Sequence, residues 1–232
     1  NSLSSSQISG LSAAQLQAFN TSQIQAINTQ GISAISSANI GLMRKEQIAA
    51  LTYATDSNSG LSQINALSIE QAKALNGVQV AGMSTAAIAA MRESQIQALG
   101  ASVILAMTTD QVNRLRTGQV AALSTIQLQA MEARDVASLT TEAVNALTAA
   151  QVSVLSAAQL LALSTQQIRA ISTQGIAALS GAQISKLRND QMVALTYNGE
   201  VSSVLLNGRS SDIANPLLVT GRMDGRSIVD QG

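Results

Sequence analysis

From Leu3 to Leu195 the chain keeps an eight-residue frame through twenty-four consecutive octads, with nothing inserted between them. A period of eight excludes the simplest folds. On one continuous helix the apolar stripe would drift by about 80° per octad. On a plain strand the two apolar positions, first and sixth, would point to opposite faces. The octad must therefore contain its own change of direction.

The consensus is Leu-Ser/Thr-x-x-Gln-Ile-x-Ala, clear in Leu11–Ala18 and again in Leu163–Ala170. The first position is large and apolar in 23 of 24 octads, Ser59 being the exception. The sixth is Ile, Leu, Val or Met in 22, with Asp56 and Ala72 as exceptions. Ser/Thr followed three residues later by Gln is a capping box: the hydroxyl accepts from the N3 amide and Gln reaches back to the cap. With the second position as N-cap, the first and sixth become N′ and N4, the two halves of a hydrophobic staple. Each octad then predicts a short helix over its third to eighth positions, followed by a sharp turn. The third, fourth and seventh positions vary and are expected to face solvent. Gln at the fifth position is assigned to capping.

A helix of six residues is marginal alone, so the units must bury their first and sixth positions by stacking. The expected fold is all-α: a solenoid of very short helices, one per octad, three octads (24 residues) to a coil. A β-solenoid is the alternative, and two octads per coil the rival count. The count of three rests on a longer period. Arg replaces the cap at Arg44, Arg92, Arg116 and Arg188, with separations that are all multiples of 24. In the same class of octads the fourth position is often acidic, as in Glu46, Glu70, Glu142 and Asp190; Asp110 lies outside the class. Three octads per coil would stack these charges on one edge. A duplication at 144 residues, in which Leu11–Tyr53 resembles Leu155–Tyr197, agrees with that period.

The pattern lapses at residues 51–58, where Asp56 stands at a core position and Ser59 follows at the next. The expectation is a loop or bulged coil; a cation site made by Asp56, Ser57 and Asn58 is the sharper reading, thin beside loops carrying several acids. Residues 1–195 form the repeat region, and residues 196–232 a non-repeat cap or junction. That tail holds Asn207-Gly208, the only Pro (Pro216) and short strand-like runs at Val201–Leu206 and Leu217–Val219.

Composition narrows the chemistry. The chain has no Cys and no His, so a thiol nucleophile, a conventional triad and the usual zinc sites are excluded. Thirteen basic residues balance thirteen acidic ones, which leaves no electrostatic footprint for nucleic acid. Three aromatic residues are too few for sugar-stacking platforms. Glu132 and Asp135 flank Arg134 and read as a solvated charge cluster; Lys186 after Ser185 makes no motif. The most apolar run, Ala101 to Met107, is too short to span a bilayer. The first four residues lack a basic or apolar leader segment, as expected of a processed chain, a fragment or another export route. No catalytic, cofactor-binding or metal-binding residue is assigned, and the chain is not expected to be an enzyme.

The octads resemble the tandem Leu-Thr-Thr-x-Gln-Ile/Val-x-Ala units of large bacterial secreted or cell-surface repeat proteins of adhesin-like type. The resemblance covers residues 3–195, with Arg44 and Asp56 departing from the pattern. It implies an extracellular or cell-surface setting and a structural role, as the rod of an adhesin or a self-assembling filament or matrix subunit. A protein-binding solenoid module is the alternative. The expected partners are further copies, joined through the solenoid ends or the C-terminal segment, and other surface proteins.

Overall fold

The computed structural model describes residues 3–52 and 62–196, and among these the chain forms twenty-three helices and no strand. The expected solenoid of mini-helices is what it builds. The consensus unit shows why. In the second octad Ser12 is the N-cap and the helix covers Ala13–Ala18, positions three to eight. Gln15 N–H donates to Ser12 Oγ (3.3 Å), while Ser12 N–H donates to Gln15 Oε1 (2.8 Å). The next residue, Phe19, is already extended (φ −67°, ψ 136°), and so is every N-cap that follows such a residue. Two consecutive extended residues, first and second positions, make the corner. No left-handed residue is needed there, so the repeat turns without glycine.

In chain order the first coil holds α1 (Ser5–Ser9), α2 (Ala13–Ala18) and α3 (Thr21–Gln25). The second holds α4 (Thr29–Ala34), α5 (Ser37–Leu42) and α6 (Lys45–Ala49), and the third α7 (Gln63–Ala66), α8 (Ile69–Ala74) and α9 (Gly77–Ala81). The fourth comprises α10 (Thr85–Ala90), α11 (Glu93–Ala98) and α12 (Ala101–Leu105); the fifth, α13 (Thr109–Asn113), α14 (Thr117–Ala122) and α15 (Thr125–Ala130). The sixth has α16 (Ala133–Ser138), α17 (Thr141–Asn145) and α18 (Ala149–Ser153), and the seventh α19 (Ala157–Ala162), α20 (Thr165–Ala170) and α21 (Thr173–Ala177). α22 (Gly181–Ile184) and α23 (Asn189–Thr196) begin an eighth. Each helix packs on the helix three before it and three after it, α8 on α11 and α11 on α14 for example. Three helices therefore make one coil, and three faces run the length of the stack, named here for α1, α2 and α3.

The sixth-position residues fill the interior: Ile24, Ile40, Ile64, Ile96, Leu128 and Ile168 have no exposed surface. First-position residues from Ile27 onward line the same core, and one continuous cluster reaches from Ile8 to Leu195. Burial of each such side chain contributes about 1.5–3 kcal/mol, which is what lets helices this short persist.

The fifth-position Gln does more than cap. Gln127 Oε1 accepts from its own cap, Ser124 N–H (2.8 Å), and its Nε2 donates to Ile96 O (2.9 Å) and Leu99 O (2.7 Å) one coil below. Gln111, Gln119, Gln151, Gln159 and Gln191 make the same pair of bonds at the same offsets, 31 and 28 residues back. Each of these corner carbonyl pairs is thus tied to the coil above by a buried amide. This inter-coil rung was absent from the sequence reading, which gave Gln a local task only.

The unbroken frame of eight conceals an insertion. Gln63, Gln71 and Gln79 make their rungs at offsets of 39 and 36, one octad longer than the rest. Thr52 N–H donates to Gln63 Oε1 (2.7 Å) and Ile64 N–H to Thr52 O (3.2 Å), the bonds an N-cap makes with its own helix. In the stack, then, α7 follows α6 directly, with Leu51 and Thr52 serving as its first two positions. Residues 53–61, including Asp56, Ser57 and Asn58, lie outside the described residues, as do Val201–Leu206, Leu217–Val219 and the rest of the tail from 197.

That octad shifts the phase of everything after it. Arg92, Arg116 and Arg188 lie on the α2 face, on α11, α14 and α23, but Arg44 lies on the α3 face with α6. The charged edge expected from the multiples of 24 therefore forms on the α2 face, but without Arg44. Glu46 is displaced with Arg44, away from Glu70, Glu142 and Asp190. The duplicated segments likewise fall on different faces, since α2 and α19 are seventeen helices apart. Three octads per coil is right, yet the 144-residue duplication and the 48-residue step from Arg44 to Arg92 coincide with the period without stacking.

Candidate interaction surface

The charged residues divide into structural rungs and solvated groups. Arg has donors but no acceptor, so it cannot cap. At Arg44 and Arg92 the N3 amide turns instead to the cap's own carbonyl, Gln47 N–H to Arg44 O (3.0 Å) and Gln95 N–H to Arg92 O (3.0 Å). The guanidinium reaches down one coil: Arg92 Nη2 donates to Leu67 O (2.8 Å) and Arg116 Nη2 to Met91 O (2.8 Å). Those carbonyls also receive the neighbouring Gln amides, so Arg gives up a cap and doubles a rung. Arg44 does the same with Phe19 O (3.0 Å). A non-capping residue recurring at a capping position was the one sequence signal of this second task.

The acids behave differently from one another. Asp190 receives a bond from Arg188 Nε (3.2 Å), which holds its carboxyl below the ordinary range while it stays in solvent. Its contribution to stability is present above the usual aspartate pKa and is lost as pH falls through the lowered value. The cluster at α16 is only partly the solvated group expected. Arg134 and Glu132 are exposed and paired at 2.9 Å, but the Asp135 side chain is 3% exposed. Asp135 occupies the fifth position, where Gln would stand. Having no donor, it cannot make the rung, and instead accepts from Thr109 Oγ1 of α13 (2.8 Å).

Lys186 is exposed, and the hydroxyl of its neighbour Ser185 donates to Ala182 O (2.9 Å). Among the described residues no three acids or other ligand types gather to hold a metal ion. Among the same residues no helix is long and apolar enough to cross a membrane. Open surface grooves run along the described stack, two of which lie over the α3 and α2 faces. One, of about 580 Å³, runs over α6, α9 and α12 beside Met43, Asn76, Gly77 and Val78. The other, of about 440 Å³, lies over α14, α17 and α20 beside Thr117, Glu142 and Asn145.

What sets one face apart is charge. The octads of α9, α12, α15, α18 and α21 contain no Asp, Glu, Lys or Arg, and these helices stack consecutively on the α3 face. Both other faces carry charges over the same coils: Glu93, Glu142 and Arg169 on the α2 face, Asp110, Arg114 and Arg134 on the α1 face. The uncharged face also presents Val78 (67% exposed), Leu105 (47%) and Ile126 (68%) to solvent. Below it, Arg44, Lys45 and Glu46 of α6 close the uncharged run. In the sequence these octads are separated by 16 residues each, so the patch has no linear signature.

Three segments of the chain, residues 88–125, 128–165 and 161–197, match the family model described as the ALTTAQ repeat. Together they cover just under half of the chain. The six letters correspond to the eighth position followed by the first five of the next octad, as in Ala146-Leu147-Thr148-Ala149-Ala150-Gln151. This is a repeat protein with a helical solenoid. No curated protein matches the chain.

Proposed function

We propose that the chain is a structural rod: a length of a surface adhesin, or a self-assembling filament or matrix subunit, working outside the cell. The observation that carries this is the rung. From Gln47 to Gln191 every coil has at least one fifth-position Gln whose amide joins it to the coil below. A joint that depends only on its two neighbouring coils can be repeated to any length, which is the property of a quasi-one-dimensional scaffold. The apolar residues are consumed in one continuous core, and the sequence provides neither His nor Cys for nucleophilic or acid–base chemistry. No reaction is assigned to it. The extracellular setting is supported by the resemblance of its octads to secreted and surface repeat proteins.

Electron microscopy of the native assembly, with antibody labelling of intact cells, tests the reading. Rods or fibres at the cell surface are expected. Label reaching the protein only after cells are opened would sink the extracellular role. A protein-binding module remains the second reading, favoured by the uncharged face with its exposed Val78, Leu105 and Ile126.

A further inference from the structure

We infer that the rod carries a hinge at one set place, between the coil of α7–α9 and the coil of α10–α12, and that it rocks there about the corner where α11 begins. This goes beyond the rod reading by giving the rod a joint, and it does not depend on where the rod works. The neighbouring joints show what a closed one looks like. Below, Gln63, Gln71 and Gln79 tie all three corners of α7–α9 to the coil beneath. Above, Gln111, Gln119 and Gln127 do the same for α13–α15. Between these two, the fifth position holds Ala87 on α10 and Val103 on α12, and neither side chain can donate. Among the described residues, every hydrogen bond that joins α10–α12 to α7–α9 comes from α11. Gln95 Nε2 donates to Ile64 O and Leu67 O (2.8 Å each), and Arg92 Nη2 to Leu67 O (2.8 Å). Among the same residues no other coil is held to the one below through a single helix. Even α16–α18, with two rungs missing, is bonded at α18 by Gln151 and at α16 by the Thr109–Asp135 and Asn113–Ser138 pairs.

Three corners make a triangle, so a joint bonded at one corner opens along the opposite side. That side is α12 over α9. The contact there is between small groups: a Cβ on Gly77 would stand 2.7 Å from Ala106 Cβ, so the two helices touch closely without interlocking side chains. An open groove of about 580 Å³ runs over the same edge, beside Asn76, Val78 and Ala106. The core at the joint is adaptable as well. Met83, Met91 and Met107 are buried first-position residues around α10–α12. Ala72 takes the sixth position on α8, where the other described helices have Ile, Leu, Val or Met. Methionine is unbranched and flexible, and it accommodates shifts in packing that a β-branched side chain resists. Two fully bonded joints on either side of a poorly bonded one give rigid blocks that move about a few residues, which is the geometry of a hinge.

Hydrogen exchange of the whole chain, read by mass spectrometry, tests the joint. Helices this short keep their amides protected only while they are packed. Amides of α9, α10 and α12 should therefore exchange about tenfold faster than those of α13–α15. Val103→Gln supplies a donor on the open side, where the rung offsets point to Ala72 O and Leu75 O, and should slow exchange in α9 and α12 several-fold. The absence of native Cys allows the bend itself to be measured with spin labels. Labels on Lys45→Cys of α6 and Ile126→Cys of α15, exposed positions on one face either side of the joint, should give a broad distance distribution. Adding Val103→Gln should narrow it. Exchange at α10 and α12 no faster than at α13–α15 overturns the joint. A distribution that is narrow in the parent, or that a folded Val103→Gln chain leaves unchanged, overturns the hinge. Both parent measurements stand whether or not the variant folds. Neither failure touches the rod, which microscopy and surface labelling test separately.

Discussion

Gln15 on α2 and Gln127 on α15 occupy the same position of the same consensus, and the structure uses them differently. Both accept from their own cap amide at 2.8 Å. Gln127 is 2% exposed and donates to two carbonyls of the coil below, whereas Gln15 is exposed and no described coil lies beneath it. The contrast separates two contributions that the sequence writes with one letter. The capping bond is local and present in every consensus octad. The rung exists only where another coil supplies its acceptors.

The sharpest way to break this comparison is Gln127→Glu. The cap amide keeps its acceptor, but a carboxylate oxygen now faces Ile96 O and Leu99 O, acceptor against acceptor. A loss of about 3–5 kcal/mol in denaturant unfolding is expected, as for a buried charge without a partner. Its carboxyl is destabilised when ionised, so its folded pKa lies above its unfolded one. The deficit should then shrink as pH falls through that raised value. A deficit independent of pH would show that the oxygen does not face the carbonyls.

Next in size is the paired truncation. Gln127→Ala leaves two corner carbonyls short of a donor and should cost about 2–3 kcal/mol. Gln15→Ala removes only a cap contact and should cost below about 1 kcal/mol. Equal costs, measured by urea unfolding, would mean that the rungs add nothing beyond capping.

Asp135→Gln runs the comparison in reverse. It restores a donor at a position where the rung offsets point to Ile104 O and Met107 O, at the loss of the Thr109 bond. A net gain of about 1 kcal/mol is expected, read as a higher midpoint of thermal unfolding; a lower midpoint would sink the idea that position five is a rung position.

The smallest expected effect comes from the largest change. Deleting residues 53–60 joins Thr52 to Leu61 and creates Leu-Thr-Leu-Ser-Gln-Ile-Asn-Ala, a full consensus octad. Since Thr52 already caps Gln63 and Ile64, the solenoid should retain its helical spectrum and its midpoint within a few degrees. Loss of cooperative unfolding would show instead that the deleted octad is part of the stack.

Much of this molecule was legible in its sequence. Ser12, Gln15, Leu11 and Leu16 gave the cap, the box and the staple, and with them the helix boundaries, because these interactions span at most five residues. The rungs were not legible, because a capping Gln and a bridging Gln have the same neighbours in sequence. Arg92 offered the available clue: it cannot cap, so its recurrence at a capping position needed another cause. The insertion was hidden for an arithmetical reason. Eight extra residues return the chain to its frame, and only the change of rung offset from 31 to 39 reveals them.

By itself, then, the sequence determined the unit: a short capped helix, two extended corner residues and two apolar side chains that must be buried. Its physical basis is contact between near neighbours, which composition and spacing specify directly. The tertiary structure alone decided which units share a face. That depends on how many octads complete a coil and on whether every octad enters the stack. It therefore decided that Arg44 parts from Arg92, that Asp135 is enclosed, and that five uncharged octads spread along the chain meet as one surface.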